Sequence, residues 1–154
     1  PQGNLRPQVT LRQEVIHKSP KLTVVNDSLA TDPARGEFAL QRWAGPTCIL
    51  ICGGVDSKRD YQAWADTLLK RVRRTNIIFL TGSATQKMRM ALGEYARGIR
   101  AYDSFAAAVK VARARAGLYV SSVILFSPAA KSMALFADEN DCGRQFNTLI
   151  ARQR

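Results

Sequence analysis

The stretch TCILICGGVDSKRDYQAWADTLLKRVRRTNIIFLT, residues 47–81, decides the fold. It opens on a continuous apolar run, TCILIC (47–52), that stops at Gly53-Gly54. A short apolar run bounded by glycines reads as a strand covered on both faces. YQAWADTLLKRV (61–72) reads as an amphipathic helix, with Tyr61, Trp64, Ala65, Leu68, Leu69 and Val72 on one face. NIIFLT (76–81) is then a second apolar strand. A strand, a crossover helix and a strand make a parallel β-α-β unit.

The alternation extends in both directions. Upstream, KLTVVN (21–26) is a strand and PARGEFALQRW (33–43) a helix, which Asp32 can cap, Pro33 can open and Gly36 weakens. VTLRQEVI (9–16) reads as a strand, joined to KLTVVN by a turn at His17, Lys18, Ser19 and Pro20. These first two strands would add an antiparallel edge. Downstream come a weakly patterned helix from Ala84 towards Tyr95, a short edge strand within 98–102, and FAAAVKVARARA, capped by Ser104 and stopped at Gly117. SSVILF (121–126) is a further strand. A long last helix is expected from about Lys131 to Gln153, with Leu135, Phe136, Phe146, Leu149 and Ile150 facing the core. The expected fold is α/β, a three-layer Rossmann-like, mostly parallel sheet with helices on both faces. Residues 1–154 are expected to form one domain.

Composition narrows the function classes. Three cysteines, Cys48, Cys52 and Cys142, and the single His17 are too few and too scattered for a disulfide framework or a zinc site. Reduced, cytoplasmic chemistry is expected. No apolar run approaches the roughly 18 residues of a membrane helix, so no membrane partner is expected. The net charge of +11, with arginines grouped at 71, 73, 74, 113 and 115, is either a solvated face or a field for an anionic partner. No nucleic-acid motif and no interleaved aromatics accompany it, and nucleic acid is not the expected partner. The chain begins with Pro1 and not methionine, which fits an excised segment.

In doubly wound sheets, ligands collect beyond the carboxyl ends of the strands. Polar or glycine clusters follow four of the expected strands: Asn26-Asp27-Ser28, Gly53-Gly54, Thr81-Gly82-Ser83 and Ser127-Pro128. Asp27 can hold a ribose hydroxyl, a metal-bound water or an amine; alternatively this cluster only caps a turn. Gly53-Gly54 either lets backbone approach a ligand or turns the chain. Lys58 and Arg59 either fix a carboxylate or begin a solvated helix end. SPAAKS (127–132) either clamps a carboxylate at the start of the last helix or caps that helix. His17 is read as a surface turn residue, and Trp43, Trp64 and Phe79 as packing residues. Neither GxGxxG nor GxxxxGK[ST] occurs, so the common ways of gripping a dinucleotide or a triphosphate are missing.

Four segments, in order, carry a resemblance to a known family. They are LRQEV (11–15), VVNDSLATDP (24–33), ICGGVDSKRDY (51–61) and VILFSPAAKSMALF (123–136). They resemble the HR-x-E, INDSKATN, GG-x-x-(K/R) and LLSPA-x-x-S segments of the C-terminal domain of the bacterial Mur ligases, closest to those that add D-glutamate to UDP-N-acetylmuramoyl-L-alanine. The resemblance implies an excised piece of a three-domain, ATP- and Mg2+-dependent amide ligase of peptidoglycan precursor synthesis, inactive alone. Its partners would be the N-terminal and central domains of the same polypeptide, the latter holding the P-loop and most metal ligands. By the same resemblance Arg12 would meet the ATP phosphates, and Asp27 the ribose with Asn26 shaping the turn. Thr31, Ser57, Lys58, Ser132 and the backbone of Met133 would serve the acceptor amino acid.

The chain departs from the family pattern at several positions. Leu29 stands where a lysine is common, Ser57 holds the Lys/Arg column with Lys58 one residue on, and Leu11 replaces a histidine. In FADENDCGRQF (136–146), Glu139 replaces an aromatic and Cys142 an arginine, with Arg144 nearby. An acid at Glu139 disfavours an acidic acceptor. The alternatives are therefore another Mur or folate-type amide ligase with a different acceptor, or a non-catalytic α/β binding module.

Overall fold

The computed structural model describes residues 9–56, 58–132 and 136–152. The strands are β1 (Glu14–Lys18), β2 (Leu22–Asn26), β3 (Cys48–Cys52), β4 (Ile77–Leu80), β5 (Ala101–Tyr102) and β6 (Ser122–Phe126). The helices are α1 (Pro33–Trp43), α2 (Gln62–Arg71), α3 (Ser83–Leu92), α4 (Phe105–Ala116) and α5 (Glu139–Arg152). One six-stranded sheet runs β1-β2-β6-β3-β4-β5. Among the described residues, β1 alone is antiparallel to its neighbour, and the other strand pairs are parallel.

The two faces of the sheet are covered by different helices. On one face, Leu40 of α1, Trp64 and Leu68 of α2 and Met88 of α3 pack on Leu50, Cys52 and Phe79. On the other, Phe105, Ala108 and Val109 of α4 and Phe146 and Ile150 of α5 pack on Ile49, Ile51 and Phe126. Because both faces are buried, β3 is apolar at every position. Phe105 anchors the second face, with its ring 5.1 Å from Phe126 and 5.2 Å from Phe136. This is the expected three-layer, mostly parallel α/β architecture with helices on both faces.

Helix starts follow local chemistry. Asp32 accepts a hydrogen bond from the Arg35 amide at 2.9 Å, and Ser104 accepts one from the Ala107 amide at 3.2 Å. Asp32→Ala should therefore lower stability by about 1 kcal/mol, measured by urea denaturation. The exposed Arg35 side chain adds little to that figure. Gly36, read as a weakness of α1, has a packing reason instead. A Cβ there would lie 2.5 Å from the Ala129 methyl and 3.1 Å from the Trp64 ring.

Three expectations are corrected. The first strand begins at Glu14, not at residue 9, because Leu11 and Gln13 have φ of 63° and 45° and break the extension. His17 consequently lies in β1 opposite Val24, and the turn tightens around Ser19, whose amide donates to the Leu22 carbonyl. The last helix begins at Glu139, not near Lys131. Lys131 instead makes a two-way backbone bridge with Val55, and the Asp138 carboxylate accepts from the Asp141 amide at 2.8 Å at the helix entry. Phe136 is thus a core residue outside the helix, and Leu135 lies outside the described residues. Finally, Leu69 is 39% exposed, off the buried stripe of α2.

Candidate functional site

The parallel strands place their polar ends on one edge, where backbone amides stitch them together. The Asp27 amide donates to the Phe126 carbonyl, the Ser127 amide to the Ile51 carbonyl, and the Gly53 amide to the Pro128 carbonyl. Strands β6 and β3 are neighbours, but β3 leads to α2 on one face and β6 to α5 on the other. Adjacent strands that feed opposite faces form a switch point, where a crevice usually opens. Here the Val55–Lys131 bridge spans it. Gly53 and Gly54 are crowded by Leu80 and Lys131, so what requires glycine at both positions is the protein's own backbone.

A second switch point lies between β2 and β6. The register Asn26 opposite Phe126 brings Asp27 beside Ser127. The Ser127 hydroxyl donates to Asp27 Oδ2 at 2.7 Å, and the Gln13 amide donates to Oδ1 at 3.1 Å. The Asp27 side chain is almost fully buried. Burial pushes its carboxyl up to about 6, against the opposing pull of the Ser127 and Gln13 hydrogen bonds and the Arg12 and Arg35 charges. A carboxylate has about four lone-pair sites, so two donors leave room for a ligand hydroxyl.

Asp27 opens into a cleft of about 610 Å3 between the segment leading into β1 and helix α1. Arg12, Gln13, Leu29, Arg35, Phe38 and Arg42 are among its walls. Three guanidinium groups and one carboxylate, beside an exposed aromatic ring, suit an anionic ligand that also bears hydroxyls and a flat apolar part. Of the expected nucleotide residues, Arg12 and Asp27 share this cleft. Asn26 does not line it. Its Oδ1 accepts from the Ser28 amide, and its Nδ2 donates to the Gly143 carbonyl and to Asn147 Oδ1. Asn26 thus makes the turn and ties it to α5.

The expected acceptor residues sit elsewhere on the same edge. Thr31 is half-buried in the loop that enters α1. Lys58 is exposed, with φ of 62°, and its amide donates to Asp56 Oδ1 at 2.8 Å. The Ser132 amide donates to Glu139 Oε1 at 3.4 Å. Because α5 starts seven residues later, Ser132 does not stand at a helix N-terminus. Ser57 and Met133 lie outside the described residues. Among the described residues, no group of three or more His, Cys, Asp or Glu is placed to hold a metal ion. Cys48, Cys52 and Cys142 are buried, and burial pushes their thiols up, which removes them as nucleophiles.

Sequence reading missed several of these residues. Arg35, Phe38 and Arg42 recur at helical spacing on one face of α1, a signal that was present in the order of residues. Lys87, whose Nζ lies 2.7 Å from Asp56 Oδ2, carried no such local signal, and Ser127, singled out as part of a strand-end cluster, was not expected to pair with Asp27.

Fold and cleft together define a doubly wound α/β domain with an anion-suited cleft beyond its strand ends. No family model matches the chain. The curated proteins it is similar to include enzymes that carry the name UDP-N-acetylmuramoylalanine–D-glutamate ligase. The one from Desulfitobacterium hafniense is 33% identical over 144 residues, 92% of this chain and 30% of that protein. The Chlorobaculum tepidum enzyme is 36% identical over 90% of this chain and 28% of its own length. The Treponema pallidum enzyme is 32% identical over 90% of this chain and 25% of its own length. The chain therefore spans less than a third of the length of these relatives.

Proposed function

We propose that this chain is the C-terminal, ATP- and amino-acid-binding domain of a Mur-type amide ligase working in the cytoplasm. It would act with N-terminal and central domains of the same polypeptide. The observation that carries the reading is the meeting of Arg12 and Asp27 in one cleft. Similarity to the three ligases over about nine-tenths of the chain supports it.

The chemistry is the activation of a carboxylate. A carboxylate oxygen of UDP-N-acetylmuramoyl-L-alanine attacks the γ-phosphorus of ATP, and ADP leaves. The D-glutamate amine then attacks the acyl carbon, and phosphate leaves with the C–O bonding pair. In this reading the Arg12 guanidinium meets phosphate oxygens, where a charge-assisted bond is strongest. Asp27 accepts from a ribose hydroxyl, with Asn26 holding its turn. Thr31, Ser57, Lys58, Ser132 and Met133 would face the acceptor amino acid. Mg2+ would neutralise phosphate charge, held by ligands outside this chain.

A second reading has its own observation. The Glu139 carboxylate accepts from the Ser132 amide, so a donor expected to serve an acidic acceptor already faces an acid. Leu29 also supplies no cation. This favours a Mur or folate-type ligase whose acceptor is not acidic.

Both readings are tested by joining the chain to the remainder of the Chlorobaculum tepidum ligase and measuring amino-acid-dependent phosphate release. The chain alone should be inactive, and robust ligation by it would overturn the proposal. In the joined enzyme, Arg12→Ala should lower ATP-dependent turnover about tenfold to hundredfold. Ser132→Ala should chiefly raise the KM for the amino acid. Wild-type behaviour in both variants would remove the residue assignment. Turnover with neutral or basic amino acids but not D-glutamate would select the second reading.

A further inference from the structure

The edge opposite the cleft is basic throughout. Connections 19–21, 44–47, 72–76, 97–100 and 117–121 enter the parallel strands at their amino ends. They carry Lys21, Arg73, Arg74, Arg97 and Arg100 and no Asp or Glu. The last turns of α2 and α4, which end on the same edge, are basic as well. Glu94, just before this edge, pairs with Arg97 at 3.6 Å. The carboxyl ends of the strands are mixed in charge, with Asp27, Asp32, Asp56, Asp60 and Asp103 set among Arg12, Arg35, Lys58, Arg59 and Lys131. Last-turn cations are explained by the helix macrodipole. The Arg100 guanidinium stacks 4.7 Å over the Tyr102 ring, whereas Lys21, Arg73 and Arg74 lie in connections beyond the α-helix ends and need another account.

Two aliphatic side chains project from the middle of this edge. Leu118 is 82% exposed and Val120 93% exposed. They flank Tyr119, whose hydroxyl is 2.9 Å from Asn76 Nδ2 and fixes the loop against the connection that carries Arg73 and Arg74. Lys21, Arg113 and Val120 line one shallow depression, and the Arg115 guanidinium donates to the Ile77 carbonyl. The aliphatic tip and the basic connections therefore form a continuous surface.

We propose that this edge docks on an anionic lipid bilayer, with Leu118 and Val120 entering the acyl boundary and the surrounding guanidinium and ammonium groups meeting headgroup phosphates. Charge complementarity selects an anionic surface. The aliphatic tip selects lipid over nucleic acid, since leucine and valine gain from an acyl environment and offer no ring for base stacking. A peripheral contact of this kind needs no spanning helix, and among the described residues no helix is long and apolar enough to cross a membrane. The expectation of no membrane partner came from the lack of a spanning run, which does not bear on a peripheral contact.

The test is co-sedimentation of the full chain with vesicles of phosphatidylcholine and phosphatidylglycerol, against vesicles of phosphatidylcholine alone. Binding to the anionic vesicles should be at least about tenfold stronger and should weaken as salt rises through about 0.15 M. The double substitution Leu118→Ser with Val120→Ser should lower it about tenfold. The Leu118→Trp variant should show a blue shift of fluorescence on anionic vesicles, beyond any shift of the parent. These side chains are exposed, and unchanged circular dichroism would verify folding. Equal affinity for both vesicle types or no affinity for either would overturn the proposal. So would an added indole emission that stays water-like when the Leu118→Trp variant is bound. Capture by duplex DNA or RNA without capture by vesicles would overturn it in favour of a nucleic-acid surface.

Discussion

Replacing Gly82 by alanine should cost about 3–4 kcal/mol of stability, read as a lower urea midpoint at unchanged slope. Gly82 has φ of 153°, and an added Cβ would sit within 2.5 Å of the Gly54 carbonyl carbon. Rigid backbone cannot move aside as a flexible side chain would. Gly54 is itself pressed against Lys131, and its carbonyl accepts from the Ala84 amide at 2.9 Å. The clash would therefore pass from the β4 turn into the β3 turn and on to the loop after β6. Gly45→Ala is the control, since nothing lies near its missing Cβ and its φ is ordinary. A Gly82→Ala domain within about 1 kcal/mol of the parent would refute the stacked-turn account.

Asp27→Asn should stabilise the domain at pH 7 by about 3 kcal/mol. The folded-state carboxyl, at about 6, lies above its ordinary 3.8, so the native state binds the proton more tightly than the unfolded chain. The associated stability is fully present below about pH 4 and is lost as pH rises through about 6. Asparagine is nearly isosteric. Its Oδ1 can keep the Gln13 amide, and its Nδ2 can donate to the Ser127 hydroxyl, without a charge to desolvate. Subtracting the stability of Asp27→Asn from that of the parent across pH 3–8 should leave a single step centred between about 4 and 6. A flat difference would mean that Asp27 is better solvated than its burial indicates. If the carboxylate also holds a ribose hydroxyl, the stabilised variant should bind nucleotide more weakly, the usual exchange of stability for function.

Much of the candidate site was legible before the fold, and for local reasons. A polar cluster after an apolar run marks a strand end, and parallel strand ends share an edge. Asp27 stood in such a cluster, open between a turn and a site, and Arg12 was singled out only through the family resemblance. The Asn26 role could not be read, because an Asx-turn and a ligand contact demand the same residue type. Lys131 was read into a helix because the Val55 backbone that captures it lies some 76 residues earlier, beyond any local signal. Leu11 and Gln13 were read as strand because no glycine announced their positive φ. The burial that supports this segment comes from elsewhere: a Cβ at Gly143 of α5 would lie 2.7 Å from the Leu11 methyls.

The order of residues by itself determined the alternation of strands and helices, the caps at Asp32 and Ser104, and the gathering of polar clusters at strand ends. Each depends on periodicity or on hydrogen bonds within a few residues. Tertiary structure alone decided that β2 lies beside β6, that Ser127 reaches Asp27 across a sequence separation of 100, and that α1 turns Arg35, Phe38 and Arg42 towards Arg12. It also decided that Asp27 is desolvated enough to hold its proton to about pH 6. Those outcomes follow from strand order and from which faces the helices cover, and both are set by the whole core and not by any one segment.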